Sequence, residues 1–465
     1  MNELPSYSLI AEPKLLFSDR DLSAVSGHPL DGLLNFGPYS DEITGNDLQS
    51  SIRIAAIYPE RQYSVLKSLV NELNSSHQPL ERKSYLRTFT GFKNIFKKDI
   101  YLLDESKCVS LPEQNFGVAG NSHTVLSELL VKAIRYINRW ALEFDVLYIY
   151  LPDAWKNAFE CKEENFDLHD FLKAVTASYS IPTQIIREGS ATNYRCRCSV
   201  AWRLSIATFV KAGGIPWRLN SLDKDTAVIG LSYSQKQNLI TNKQEFLTCC
   251  SQVFDSDGTG LEFIAYEADE YQIYGDNPFL SRFEMRRVMQ RSAQLYASRH
   301  PHTKLRKIIV HKTTPFTNDE MEGCFDAFPN LQVELLQIKQ NTPWKAIKIE
   351  AKKRVSGYPV NRGVFLQLGH NEALVWTQGV TKLDGKDFFK EGKGIPSPLH
   401  VHQFAGSGNW FEHCSIIMAL TKMNWNHDSL YDRLPVTLSY ASTLASTLKS
   451  LPKLSKRPYQ FKYFM

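Results

Sequence analysis

The strongest constraint on the fold is the segment from Asn121 to Phe144, which runs without a break into VLYIYLP. In the first part Leu126, Leu129, Leu130, Ala133, Ile134, Ile137 and Trp140 recur at helical spacing. The second part is apolar at nearly every position, as a strand covered on both faces must be. SIRIAAIY, from Ser51 to Tyr58, has the same character and is followed by a helix expected from about Gln62 to Asn74; DIYLL is another short strand. Strands alternating with helices predict an α/β fold with a parallel, doubly wound sheet. Ligands of such sheets lie beyond the carboxyl ends of the strands.

The stretch from Leu168 to Leu219 falls at that end. His169 and Lys173 sit four apart on an expected helix and share one face. The strand IPTQII presents Gln184, and a second helix, from about Ser199 to Ala212, carries Lys211 on its last turn. Gly213-Gly214 ends that helix, and Pro216-Trp217 opens the next segment. An imidazole, two ammonium groups and an amide can converge on one small anion, and no paired carboxylate or nucleophile–base pair stands among them. This is chemistry for holding a phosphate rather than for breaking a bond. Taken singly, each residue has an ordinary explanation: a solvated lysine, an idle histidine, a glycine cap.

A chain of 465 residues accommodates two or three domains. Its net charge of +5 is a mild basic excess, compatible with nucleic acid. Two basic runs stand out: Lys345, Lys348, Lys352, Lys353, Arg354 and Arg362 against the single acid Glu350, and Lys449, Lys453, Lys456, Arg457 and Lys462 with no acid. Either run serves as a solvated face or contacts a polyanion. The cysteines are scattered; Cys196-x-Cys198 and Cys249-Cys250 lack metal-site spacing. Free thiols, no signal peptide and no membrane-spanning apolar run lead to a cytoplasmic expectation.

Residues 1–50 are Pro- and Gly-rich and are expected as an extended arm. After about Ser221 come the strand TAVIGLSYS, a hairpin around DSDGTG, and an Arg-rich helical stretch from Asn277 to His300. The strand KIIVHK, a helix over PFTNDEMEGCFDAF, and the strands VELLQIK, AIKIEAK, GVFLQLG and EALVWTQG follow. Closing helices are expected over Asn409–Thr421 and Val436–Lys449. FAGSGNW lacks the Lys-Ser/Thr of a P-loop and is expected as a plain loop. HVH at His400–His402 offers two imidazoles on one strand face but no third ligand nearby in sequence.

His169-x3-Lys173, then TQII, then Lys211-x-Gly-Gly-x-Pro-Trp217 resembles the MID domain of Argonaute proteins. The His–Lys pair is similar to the variant of short prokaryotic Argonautes, as is GLLNFGPY in the arm. The resemblance implies a Rossmann-like MID domain over 51–220 and a ribonuclease H-like PIWI domain over 221–465, behind an arm over 1–50, with no room for the N and PAZ domains of long Argonautes. In that family the positions of His169, Lys173, Gln184 and Lys211 hold the 5′-phosphate of a guide strand. The aromatic tail ending Tyr459-Gln-Phe-Lys-Tyr-Phe-Met465 is similar to tails whose terminal carboxylate shares a divalent cation with that phosphate, so Gln184 and the Met465 carboxylate are the implied Mg2+ ligands. Arg195 and Arg197 would lie beside the guide backbone, although alternating arginines on a loop are equally ordinary surface.

An active PIWI domain cuts with carboxylates, which hard divalent cations require. Where the family has its first Asp, this chain reads Gly230-Leu231-Ser232; after the second strand it reads His311-Lys312-Thr313-Thr314; on the late helix it reads Tyr440-Ala441-Ser442. The resemblance therefore implies a non-cutting protein. It would bind a guide, expected to be RNA, and capture complementary target, expected to be single-stranded DNA of a plasmid or phage. Capture would activate an APAZ-domain partner carrying a sirtuin-type, TIR-type or nuclease effector. The alternative is a guide-directed nuclease using displaced carboxylates, with Asp255, Asp257 and Glu262 as candidates; hairpin-turn chemistry explains the same residues.

Overall fold

The computed structural model describes residues 6–40, 51–113, 116, 121–220, 225–237, 244–255, 257–260, 262–275, 277–302, 304–349, 355–383, 385–389, 394–448 and 458–465. Lys352, Lys353 and Arg354 of the first basic run, and Lys449, Lys453, Lys456 and Arg457 of the second, lie outside the described residues.

The first sheet is built from β1 (Ser51–Pro59), α1 (Tyr63–Leu73), β2 (Asp99–Leu102), β3 (Val109–Leu111), α2 (Ser122–Ile137), β4 (Val146–Leu151), α3 (Leu168–Ser178), β5 (Thr183–Arg187) and α4 (Arg197–Lys211). Its order is β5-β4-β1-β2, with β3 also on β1, and every pair is parallel. All six residues of β4 are buried, as the apolar run required. The helix expected from Asn121 to Phe144 stops at Ile137 and tightens into a single 3₁₀ turn, Asn138–Trp140. Asp167 caps α3 by accepting from the Asp170 amide at 3.0 Å. The Gly213-Gly214 pair has two separate causes. Gly213 adopts φ +110, and a Cβ on Gly214 would lie 2.3 Å from the Phe209 ring.

The second sheet contains β6 (Thr226–Gln237), β7 (Gln244–Asp255), β8 (Glu262–Ala268), β9 (Lys307–Lys312), β10 (Gln332–Lys339), β11 (Val364–Gln367), β12 (Glu372–Val375), β13 (Leu399–Ala405) and β14 (Tyr459–Gln460). Its helices are α5 (Arg282–Arg299), α6 (Asn318–Ala327), α7 (Trp410–Leu420) and α8 (Val436–Leu448). The central order β8-β7-β6-β9-β10, antiparallel then parallel, is that of the ribonuclease H fold. Successive residues face opposite sides. Ile229, Leu231, Ile308 and Val310 pack with Met285, Met289 and Cys324 of α5 and α6. Val228, Ile309 and Leu336 pack with Ile417, Met418 and Leu444 of α7 and α8. The helical stretch expected from Asn277 divides: Asn277–Leu280 is a strand paired with Tyr271–Tyr274, and Ser281 caps the helix that follows. Pro278 inside the run accounts for the division, because proline disfavours helix in the residue before it. AIKIEAK contributes only a short pair, Ile347–Ile349 with Val355–Pro359.

The arm is integrated into the second sheet rather than lying loose. Tyr7–Leu9 forms an edge strand on β11. Glu12 is bound by Lys422 at 2.6 Å and Arg362 at 2.8 Å, both with fully buried side chains. The FAGSGNW loop wraps an internal carboxylate: Gly408 N–H donates to Glu334 at 2.8 Å, and a Cβ on Gly406 would lie 1.9 Å from that carboxylate. Burial alone would raise the Glu334 carboxyl, but hydrogen bonds from His413, Gln332 and Gln403 hold it down to about 2. Among the described residues no helix is long and apolar enough to cross a membrane.

Candidate phosphate-binding site

A cavity of about 360 Å³ lies along the edge strand β5, between α3 and α4. His169, Lys173, Gln184, Lys211 and Met465 all line it. Lys173 lies one turn after His169 and is 2% exposed; its ammonium donates to the carbonyl of Thr183 and to the main-chain oxygen of Met465. Lys211, also 2% exposed, donates to Gln184 Oε1. Burial pushes Lys173 down to about 7. Lys211 falls well below the ordinary lysine range, through burial first and then the charge of Lys173. Two mutually repelling ammonium groups in one cavity, each holding a neutral or terminal oxygen, form a site that gains when an anion enters. His169 stays half-exposed, with Nδ1 3.3 Å from Asp170 Oδ1.

Met465 is brought there by the tail. Tyr459–Gln460 pairs with β8, Phe461 stacks on Tyr440 at 4.1 Å, and Phe464 packs edge-on against Phe263 at 4.9 Å. The aromatic residues pack on the core and, in doing so, carry the Met465 main chain to Lys173.

Two further cations line the cavity that the sequence reading passed over, Arg187 and Arg203. Arg203 repeats on the face of Lys211 through Ala207, at four-residue intervals along α4, and this stripe was the available signal. Arg187 follows IPTQII directly. The structure brings neither Arg195 nor Arg197 into the cavity lining. Arg195 is exposed on the loop. Arg197 ion-pairs with Glu72, with Nε at 2.6 Å, and donates to the carbonyls of Ala191, Thr192 and Tyr194. It braces the π turn Glu188–Thr192, which supplies Ser190 and Ala191 to the cavity wall. A larger cleft of about 750 Å³ follows the same seam, with Arg82, Lys83 and Arg433 on its rim; Arg82 joins the two regions through Ser199 at 2.6 Å and Asp428 at 3.0 Å.

In the second sheet, Gly230 pairs with His311. Ser232 lies two residues further on, on the face covered by α8, and Thr313 follows the end of β9 at an exposed position. The helix approaches so closely that a Cβ on Gly230 would lie 2.0 Å from the Thr437 carbonyl. His311 is fully buried there, bonded through Nδ1 to Thr437 Oγ1 at 2.9 Å, and burial, then the charge of His413, lowers it to about 3. Thr314 is half-buried and Ser442 is exposed on α8. Asp255, Asp257 and Glu262 lie elsewhere. Asp255 pairs with Ala227, five residues before Ser232, which is roughly 17 Å along the strand. Each carboxylate has its own cation: His300 at 2.9 Å, Arg218 at 2.9 Å and Arg299 at 3.1 Å. His400 and His402 both turn to Glu372, at 3.2 and 3.3 Å. Among the described residues, the groups of His, Cys, Asp and Glu close enough to share a metal both lie beside the first sheet.

No family model matches the chain. A curated relative, the protein argonaute of Cereibacter sphaeroides, is 21% identical over 98% of the chain, which spans 58% of that relative's length. A structure of Clostridium butyricum Argonaute bound to a guide DNA and a 19-mer target DNA superposes with a TM-score of 0.66 at 15% identity, covering 96% of this chain and 53% of that one. Drosophila Piwi gives 0.61 at 12% identity, covering 98% and 56%. The chain is thus similar to Argonaute proteins in sequence and shares their fold. The five-stranded parallel sheet with its helices has the MID fold, and the ten-stranded sheet has the PIWI fold.

Proposed function

We propose that this chain is the guide-binding, target-sensing subunit of a prokaryotic defence system, without nuclease activity of its own. The observation that carries the reading is the pair of buried ammonium groups, Lys173 and Lys211, facing one cavity. A guide RNA enters by its 5′-phosphate, which accepts from the ammonium groups that Thr183, Gln184 and Met465 oxygens now occupy. His169, Arg187 and Arg203 add donors at the mouth. The strand then follows the seam past Arg82, Lys83 and Arg433, held by its backbone, so that base pairing alone reads the target. Gln184 Oε1 and the Met465 oxygens are hard donors suited to Mg2+, which when bound would neutralise charge between the phosphate and the terminal carboxylate. Ser232, Thr313, Thr314 and Ser442 offer no carboxylate to hold cleavage metals. Capture of single-stranded plasmid or phage DNA instead activates an APAZ-domain effector partner, sirtuin-type in the leading version, with a TIR-type enzyme or a nuclease as the other candidates.

The test is a comparison of one RNA carrying a 5′-phosphate or a 5′-hydroxyl, each measured with and without Mg2+. The phosphate is expected to tighten binding by roughly 100-fold, as two charge-assisted hydrogen bonds of about 1.5–3 kcal/mol each would give. Mg2+ is expected to add roughly a further fivefold, about 1 kcal/mol, for the phosphorylated strand alone. Equal affinity for the two ends would reduce the chain to a general nucleic-acid-binding module.

A further inference from the structure

We propose that His123, Cys161 and Glu164 form a transition-metal site, with Zn2+ as its natural occupant, at the root of the helix that carries His169. His123 is in the first turn of α2; Cys161 and Glu164 belong to a hairpin in which Glu160–Cys161 pairs with Phe166–Asp167. One imidazole nitrogen, the sulfur and one carboxylate oxygen lie within 4.8 Å of one another. His123 Nε2 is 3.0 Å from Glu164 Oε2, and the imidazole is fixed by its burial and by the Phe166 ring at 5.1 Å. A second carboxylate, Glu163, reaches the Cys161 sulfur at 3.4 Å.

The donor set chooses the metal. Thiolate, imidazole and carboxylate together suit Zn2+, whereas Mg2+ and Ca2+ take oxygen. Three protein ligands leave a fourth position for water or for Glu163. Cys161 also differs from its fellows: of the six described free cysteines, Cys108, Cys196, Cys198, Cys324 and Cys414 are buried, and Cys161 is half-buried. Binding replaces the thiol S–H bond with an S–metal bond and releases the proton to solvent. The metal ties the start of α2 to the hairpin, whose last residue, Asp167, caps α3 two residues before His169. It thereby fastens the edge of the phosphate cavity without being part of it.

The experiment titrates the metal-stripped full-length chain with Co2+ as an optical probe. One equivalent is expected to give tetrahedral d–d bands and a thiolate-to-cobalt band in the near ultraviolet, both abolished by one equivalent of Zn2+. Cys161→Ser should remove the thiolate band. Glu164→Gln, at an exposed position that leaves folding intact, should weaken Co2+ binding by about tenfold or more. A chain that gives no thiolate band, or one whose band survives in Cys161→Ser, overturns the assignment. Guide binding does not enter either readout.

Discussion

The MID-type and PIWI-type halves meet the same problem, polar groups placed against a sheet, with opposite contents. Beside the first residues of β5, two lysines are buried against three oxygens, and burial drives their ammonium groups down. On β6 and just past β9, Ser232 and Thr313 offer hydroxyls and no charge, and the buried titratable group beside them, His311, is pushed toward neutrality. The first region carries a charge cost that an anionic ligand relieves further. The second holds no such pair of cations, only a neutralised His311 whose Nε2 is left without a partner. Sites kept at a cost to the free protein are where function is concentrated.

The comparison is broken most directly by removing the cost. Lys173→Met with Lys211→Met keeps length and packing but deletes both charges. Affinity for a 5′-phosphorylated strand is expected to fall by about 100-fold or more. The free chain is expected to keep most of its stability, because deleting the two lysines removes their desolvation cost while leaving the Thr183, Gln184 and Met465 oxygens unpaired. Fluorescence anisotropy and thermal unfolding check the two halves. Loss of binding together with loss of stability would mean that the lysines are structural.

How much of this was legible in the sequence follows the same division. The elements of the first sheet could be read because β1 and β4 are apolar throughout and their helices amphipathic. The set His169, Lys173, Gln184 and Lys211 stood out by its order and spacing, through its resemblance to the MID pattern, and all four line one cavity. The depth of Lys173 and Lys211 could not be read, since nothing local to LHDFLK distinguishes a buried lysine from a solvated one. The internal pairing of Arg197 was hidden for a related reason: its partner Glu72 lies 125 residues away. The His123–Cys161 juxtaposition was equally hidden, because α2 and the hairpin meet only after β4 has been laid between them in the chain. The carboxylate facing His400 and His402 also comes from another strand, β12.

A pH titration sharpens the comparison with a smaller effect. Lys173 sits near 7 in the empty cavity and in the ordinary lysine range when unfolded. Between those values the folded chain binds fewer protons than the unfolded one, so its stability rises with pH. Phosphate binding has the opposite slope, because it needs the ammonium. Affinity for the phosphorylated strand should be full below about pH 7 and fall above it, by up to about tenfold per unit. A phosphate monoester only gains charge as pH rises past about 6, so the decline cannot come from the ligand. Lys173→Met should flatten the profile, and an unchanged profile would remove Lys173 from the site.

The smallest expected effect is the most discriminating for the second region. Ser232→Ala, Thr313→Ala and Ser442→Ala combined should leave capture of a complementary strand by the guide-loaded chain within about twofold, since the duplex is held through its backbone rather than by these side chains. The unmodified chain, incubated with Mg2+ or Mn2+ and a matched target, should give no cleavage product. Product from the pure chain that disappears in the triple variant would place metal chemistry at β6 and β9 after all. Product that survives there but disappears in Asp255→Asn with Asp257→Asn would move it to the far end of the same strands. Either result would mean that the PIWI-type half carries a cost of its own. With both absent, the asymmetry stands: one half of the chain holds buried charge for a ligand, and the other supplies a surface along which that ligand is laid.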